Sequence, residues 1–361
     1  ISVISCHVDY LLTMWDAKVS SCVCFLVFLA ACSQGRTKSQ GRALRWVTKK
    51  EALQYLTEGM TDMDTFKKEQ LNPILKERIS GTPENAEVRE HIKTRMKTLG
   101  WTVEEDAFED DTPFGRKKFV NIIATRNPER SQRTIVACHF DSKDFRTKEN
   151  KKFLAATDSA VPCAIMLETA KQLDCLLTKG PKADSAGSDL TLQYVFFDGE
   201  EAFEQWSETD SIYGARHLAK KWQDNSQLSS IRELILLDLI GTTDSQFVSH
   251  FQSTSSLFEH LMKLEKYLRS NKMLTSGHTR TIFSSYGGRS GGIEDDHIPF
   301  WRKGVEVLHL ISTPFPKVWH KTTDDADHLD MNLIDNFSRI FRAFISNLLH
   351  LSPEKIGCRK K

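Results

Sequence analysis

The stretch YVFFDGEEAF (194–203) runs apolar through four residues and then stops at Asp-Gly and two adjacent glutamates. A short run rich in aromatic and β-branched residues reads as a buried strand. Two carboxylates directly beyond it place charge where that strand leaves the core. Four other runs read the same way: FVNIIAT (119–125), TIVACHF (134–140), LILLDLI (234–240) and VEVLHLI (305–311). Among them lie helical patterns: ATDSAVPCAIMLETAKQL (156–173), SLFEHLMKLEKYL (256–268) with Leu257, Leu261, Leu264 and Leu268 on one face, and MNLIDNFSRIFRAFISNLLHL (331–351). In the last, Leu333, Phe337, Ile340, Phe341 and Phe344 form an apolar stripe, and Asp330 is a fitting N-cap. Strands alternating with helices predict an α/β fold with a central, mostly parallel (mixed) sheet flanked by helices on both faces. No composition break or repeat divides residues 45 to 352, so a single domain is expected.

The chain has 361 residues, 40% hydrophobic and 27% charged, enough to build a full core. A net charge of +1 gives no global electrostatic reason to bind nucleic acid or an anionic membrane, so a local site is sought. Met14, Lys18 and the run VSSCVCFLVFLAACSQG (19–35) have the pattern of a secretory signal. Its apolar part is shorter than the roughly 20 residues of a membrane span, and Ala30, Ala31 and Ser33 offer a cleavage site. The expected organisation is an upstream segment at 1–13, a signal peptide at 14–33 and one catalytic domain at 34–361, with secretion as the outcome. A short Golgi-type anchor and, for LAAC, a lipoprotein box are the alternatives.

Loss of the leader leaves Cys138, Cys163, Cys175 and Cys358 in an oxidising compartment. Cys138 ends a predicted strand and Cys163 lies in a helix starting near the same rim, which favours a Cys138–Cys163 bridge over buried free thiols. Whether Cys175 and Cys358 pair is open. A glycosylation sequon, Asn336-Phe337-Ser338, falls inside the last helical segment. The polar stretches 142–152 and 178–189 read as surface loops.

Ligands of open α/β sheets bind beyond the carboxyl ends of the strands. There the chain places His139 and Asp141, Asp158, Glu200 with Glu201, Asp238, and His320 after the loop TPFPKVW. Carboxylate mixed with imidazole suits a borderline cation such as zinc, and three protein ligands with an open position is the catalytic arrangement. Adjacent carboxylates cannot face one ion alike, so in the Glu200-Glu201 pair one ligates while the other handles protons. The same inventory also permits a second metal at His139 and Asp238 with Asp158 bridging.

The blocks ACHFDSK, ATDSAVPCA, FFDGEEAF, DSIYGARHLA, LLDLIG, IEDDHIPF and FPKVWH, in this order, resemble those of animal glutaminyl-peptide cyclotransferases. The resemblance implies a zinc exopeptidase-like fold with one zinc per chain. It implies cyclisation of N-terminal glutamine, and more slowly glutamate, of peptides and proteins to pyroglutamate with release of ammonia. Asp158, Glu201 and His320 are then the zinc ligands and Glu200 the general acid/base. Asp238 and Asp295 share protons with it, and Trp206, Trp319 and Phe315 wall the substrate pocket. Glu294, where many relatives are expected to carry Gln, also belongs to the substrate side, as does His309, which can equally stand behind the site. The Cys138–Cys163 bridge also matches the family. Expected partners are peptides with a free N-terminal Gln; nucleic acid and, once the leader is cleaved, membrane are not, and a monomer is expected. The competing readings are a two-zinc aminopeptidase, disfavoured by Trp206, Trp319 and EDDHIPF, and an inactive peptidase-like binding module.

Overall fold

The five apolar runs become five strands of one sheet in the computed structural model, which describes residues 50–58, 62–145, 152–180, 189–285, 292–353 and 358. They are β2 (Gly115–Thr125), β3 (Gln132–His139), β4 (Leu190–Phe197), β5 (Ile231–Asp238) and β6 (Val307–Ile311). A sixth, β1 (Thr102–Thr112), precedes them with the sequence TVEEDAFEDDT. It was not expected, because an edge strand facing solvent carries no apolar run: only Asp106 of its residues is buried. The sheet order is β1-β2-β4-β3-β5-β6. β1, β2 and β4 pair antiparallel, whereas β4, β3, β5 and β6 run parallel.

β4 is buried along its whole length, β6 likewise, and β3 and β5 nearly so, which requires cover on both faces. On one face Ile135, Ala137, Val195, Phe197, Leu234 and Leu236 pack against α4 (Tyr213–Asp224) through Ala215, Leu218, Ala219 and Trp222. The other face receives α3 (Val161–Lys179), which packs on β3, α2 (Pro83–Thr98) and the final helix. That final helix, α6 (Met331–Leu348), starts at Asp330, whose side chain accepts the Asn332 and Leu333 N–H groups. Its predicted stripe is buried, and so is nearly every other position from Leu333 onward, because α1 (Lys50–Thr57), α3 and α5 (Ser255–Ser270) all lean on it. Each such aromatic or aliphatic side chain contributes roughly 1.5–3 kcal/mol by leaving water. In α5 Leu261, Leu264 and Leu268 are buried, but Phe258 takes the core position expected of Leu257.

The pairing that the sequence leaves open is formed. The disulfide joins Cys175, in the last turns of α3, to Cys358. Cys138 and Cys163 are buried with their sulfurs 2.6 Å apart, and Cys163 Sγ lies 3.2 Å from the His139 carbonyl oxygen. The two are adjacent at one rim of the sheet, as the expected bridge requires. The Cys175–Cys358 bridge spans 183 residues of sequence, for which the chain-entropy model gives roughly 5 kcal/mol of restraint on the unfolded chain. The sequon asparagine, Asn336, is fully buried: its amide donates to the Thr275 and His278 carbonyls and its oxygen accepts the Thr275 N–H.

The stretches 1–13 and 14–33 lie outside the described residues, as do the centres of the two predicted loops. Among the described residues no helix is long and apolar enough to cross a membrane.

Candidate active site and metal centre

The strand order reverses at β3, with β4 on one side and β5 on the other. The carboxyl ends of β3, β4, β5 and β6 therefore border one crevice. β4 leaves the sheet through Asp198-Gly199-Glu200-Glu201. Gly199 has φ +76°, and a Cβ there would stand 2.6 Å from the Phe119 ring, so no larger residue fits the turn. Asp141, just past β3, accepts the Glu200 N–H on Oδ1 at 3.1 Å and the Glu201 N–H on Oδ2 at 3.2 Å. The backbone of both glutamates is thereby fixed.

Asp158, Glu201 and His320 converge. His320 Nε2 stands 3.4 Å from Asp158 Oδ2 and 3.3 Å from Glu201 Oε1. Those two oxygens are buried, and neither has a hydrogen bond of good geometry. A buried carboxylate oxygen without a donor is costly unless a cation faces it. Burial would lower the His320 pKa, yet Asp158 and Glu201 raise it to about 9. The two acids call for positive charge between them, which a proton supplies in the metal-free chain and a metal ion would displace. The donor set is the carboxylate and imidazole mixture that suits zinc, so the residues fit the ion. Lys143 Nζ occupies the other Glu201 oxygen, Oε2, at 3.3 Å, leaving Oε1 to the centre.

Asp158 faces a second group through Oδ1. His139 Nε2 lies 3.1 Å from that oxygen and 3.6 Å from Asp238 Oδ1, so His139, Asp158 and Asp238 form another triad of potential ligands. Asp238 Oδ1 already accepts the Ser159 hydroxyl and the Leu239 N–H. Burial, with Asp295 and Asp158 nearby and against the pull of His139, pushes Asp238 up to about 7.

Glu200 is almost closed off from solvent. Burial first, then Glu201, Asp295 and Asp296, drive its carboxyl well above the usual range, with His139 opposing. Asp295, raised by burial, meets His309 Nε2 at 2.7 Å through Oδ2 and accepts the Asp296 N–H through Oδ1 at 2.6 Å. Among the described residues no direct hydrogen bond links the Glu200, Asp238 and Asp295 carboxyls to one another; they interact across the crevice by charge. His309, in the middle of β6, is buried behind Asp295 against the rings of His297 and His250.

The rim is aromatic. Trp319 stacks on His320 with ring centroids 4.0 Å apart, and Phe315 meets Trp319 edge-on at 4.9 Å. Trp206, 37% exposed, donates its indole N–H to Glu294 Oε2 at 3.1 Å.

The model for peptidase family M28 matches residues 121–345. A glutaminyl-peptide cyclotransferase of Bos taurus is 43% identical over 312 residues, covering 83% of this chain and 86% of the relative. One from Drosophila melanogaster is 44% identical, covering 80% and 81%. The crystal structure of Macrostomum lignano glutaminyl cyclase superposes with a TM-score of 0.76 at 37% identity, covering 86% of this chain and 96% of that one. The chain belongs to the glutaminyl-peptide cyclotransferases of peptidase family M28.

Against that family background, sequence reading missed three residues with clear structural work. Asp141 was noticed at a strand end but given no role, although HFDSK carries it. Ser159, which donates to Asp238, sits beside Asp158 in ATDSA. Lys143 was assigned to a solvated loop, yet its ammonium is mostly buried against Glu201 and the Ala202 carbonyl. Each acts on a partner distant in sequence, and only the quoted motif blocks offered a signal.

Proposed function

We propose that the chain is a zinc-dependent glutaminyl-peptide cyclotransferase that converts N-terminal glutamine, and more slowly glutamate, of peptides and proteins to pyroglutamate. The observation that carries this reading is the convergence of Asp158, Glu201 and His320 beside the buried Glu200, whose proton affinity burial and neighbouring acids raise, under an aromatic rim.

Asp158, Glu201 and His320 would hold one zinc ion per chain, which when bound supplies Lewis-acid polarisation of a carbonyl. The chain's own residues do the rest. Trp206, Trp319 and Phe315 enclose the glutamine side chain in a bent pose, bringing its α-amine to its γ-carboxamide carbon. Orientation of this kind reaches roughly 7–11 kcal/mol in intramolecular models. The attacking amine must be neutral, and N-terminal amines titrate near ~7.7–8.0, so a nearby carboxylate that takes the proton is useful at neutral pH. Glu200 takes it and delivers it to the departing nitrogen, which leaves as ammonia. Asp238, with Ser159, and Asp295, with His309, crowd Glu200 with acids that cannot all stay charged, which favours its holding that proton. The aromatic rim excludes water, favouring ring closure over hydrolysis.

A two-metal aminopeptidase is the second reading, favoured by the His139, Asp158 and Asp238 triad. Incubation with one peptide beginning with Gln and another beginning with Leu separates the two. Loss of 17 mass units, the ~17 Da of ammonia expected for lactam closure, from the first with the second intact supports the cyclase; trimming of Leu overturns it.

The domain at 34–361 acts as a monomer on this reading, since one chain supplies the whole site, and gel filtration tests it. Secretion after removal of the 14–33 leader is supported by the Cys175–Cys358 disulfide. N-terminal sequencing of the exported protein tests that.

A further inference from the structure

Two of the three candidate metal ligands sit on irregular segments far apart in sequence: Asp158 after 152–155, and His320 in the loop beyond β6. Asp158 lies in a single π-helical turn, Ala156–Ala160, whose backbone is non-helical at Asp158 and Ser159, and the His320 loop has no sheet or helix to set its path. Both contain left-handed backbone at a non-glycine residue, Ala155 at φ +48° and His320 at φ +53°. Such conformations persist only where surrounding contacts impose them.

Those contacts come from two buried charged residues. Arg78, fully buried, donates to the carbonyls of Leu154 at 2.6 Å, Ala155 at 3.0 Å and Phe140 at 2.6 Å. It secures the carbonyl side of the Asp158 segment. Asp324, also fully buried and four residues past His320, secures the amide side. Its main-chain carbonyl accepts the Ala156 N–H at 3.1 Å, and its side-chain Oδ1 accepts the Thr157 N–H at 2.9 Å. Its own N–H returns to the Lys321 carbonyl at 2.9 Å, and Lys321 N–H returns to Val318 at 3.0 Å, closing turns around His320. Asp324 Oδ2 is buried without a hydrogen-bond partner. A residue serving only as a turn cap has no reason to bury its carboxylate against a segment more than 160 positions upstream.

We propose that Asp324 is a positioning residue that latches the His320 loop to the Asp158 segment, so that these two ligands are set before any ion arrives. The proposal rests on reading Asp158, Glu201 and His320 as the metal ligands. Its physical content is preorganisation: outer residues that orient ligands govern affinity without touching the ion.

The test compares Asp324→Ala and Asp324→Asn with the parent chain by zinc competition against a chromogenic chelator, alongside thermal melting of stripped and loaded protein. Alanine removes the acceptor for the Thr157 N–H and is expected to weaken zinc binding about 10- to 100-fold, the range for losing an outer-shell partner. Asparagine keeps an acceptor oxygen and is expected to stay within about threefold of the parent. Unchanged zinc affinity in a folded alanine variant overturns the latch, as does an asparagine variant no better than alanine. A measurement on the parent chain covers the case in which alanine prevents folding. Hydrogen exchange of zinc-stripped protein is expected to show the Ala156 and Thr157 amides as slow as in loaded protein, and exchange at open-loop rates overturns the proposal. A parent chain that binds no zinc would defeat the ligand assignment, while amide exchange would still judge the latch.

Discussion

The Nε2 of His309 and the Oδ2 of Asp295 lie 2.7 Å apart, both side chains almost wholly out of solvent. Burial and neighbouring His250 hold the imidazole well below its ordinary pKa, and the ring and the acid share one hydrogen bond. Asp295 is thereby fixed in place on the charge-crowded side of Glu200. His309→Leu leaves Oδ2 of that buried carboxyl unpaired, at a cost of about 1–3 kcal/mol. The expected outcome is a fall in kcat of about 5- to 150-fold with unchanged zinc content. Loss of zinc in parallel with activity would mean that His309 supports the ligands instead.

Glu200 carries the proton in the proposed reaction. Glu200→Gln keeps the shape and the backbone links to Asp141 but cannot accept a proton. Turnover of a Gln-initiated peptide is expected to fall about 10²- to 10⁴-fold, the usual contribution of general acid–base catalysis. Zinc measured by atomic absorption should match the parent. Retained turnover defeats the assignment.

The rim contact between Trp206 and Glu294 separates charge from geometry. Glu294→Gln still offers an oxygen to the indole N–H, and KM for a Gln-initiated peptide is expected to stay within about twofold. Glu294→Ala releases Trp206, and loss of one hydrogen bond at about 0.5–1.5 kcal/mol corresponds to a KM increase of about 2- to 10-fold. Equal effects of the two substitutions would show that the charge matters rather than the contact.

Asp106 gives a pH dependence remote from the metal centre. Burial works against its charge, but His217, Lys221 at 2.8 Å and Asn121 at 3.0 Å hold its pKa down to about 2. A depressed carboxyl stabilises the fold at pH above the unfolded value near ~3.9, and this contribution disappears as pH falls toward the folded value. With its partners partly solvated, roughly 1–2 kcal/mol is expected. Asp106→Asn should lower the melting temperature at pH 7 and converge with the parent near pH 2 to 3. An offset that persists at low pH contradicts this origin.

What could be read from sequence follows from where each interaction partner lies. β2 to β6 announce themselves because strands covered on both faces must be apolar throughout, and Asp330 does so because a cap acts within its own turn. β1 escapes notice because, as an edge strand, it meets solvent and carries eight charged or hydroxyl side chains among TVEEDAFEDDT. The residues lining the crevice were visible as polar groups ending apolar runs. The tasks of Asp141 and Asp324 were not, since their partners are backbone N–H groups, which leave no trace in residue identity. The Cys175–Cys358 bridge depends on how the end of α3 approaches the distal tail, which no local pattern encodes. His309 was ambiguous for a simpler reason: a histidine within an apolar strand can point toward either face.

Glu201 follows β4 and His320 follows β6, while Asp158 lies between β3 and α3, so the three meet through the sheet and not through neighbouring sequence. A metal ion held there would tie together segments that the sheet already joins, unlike the ion of a small zinc-stapled module. On the proposed assignment, a protein that is folded but idle without its ion is the expected apo form.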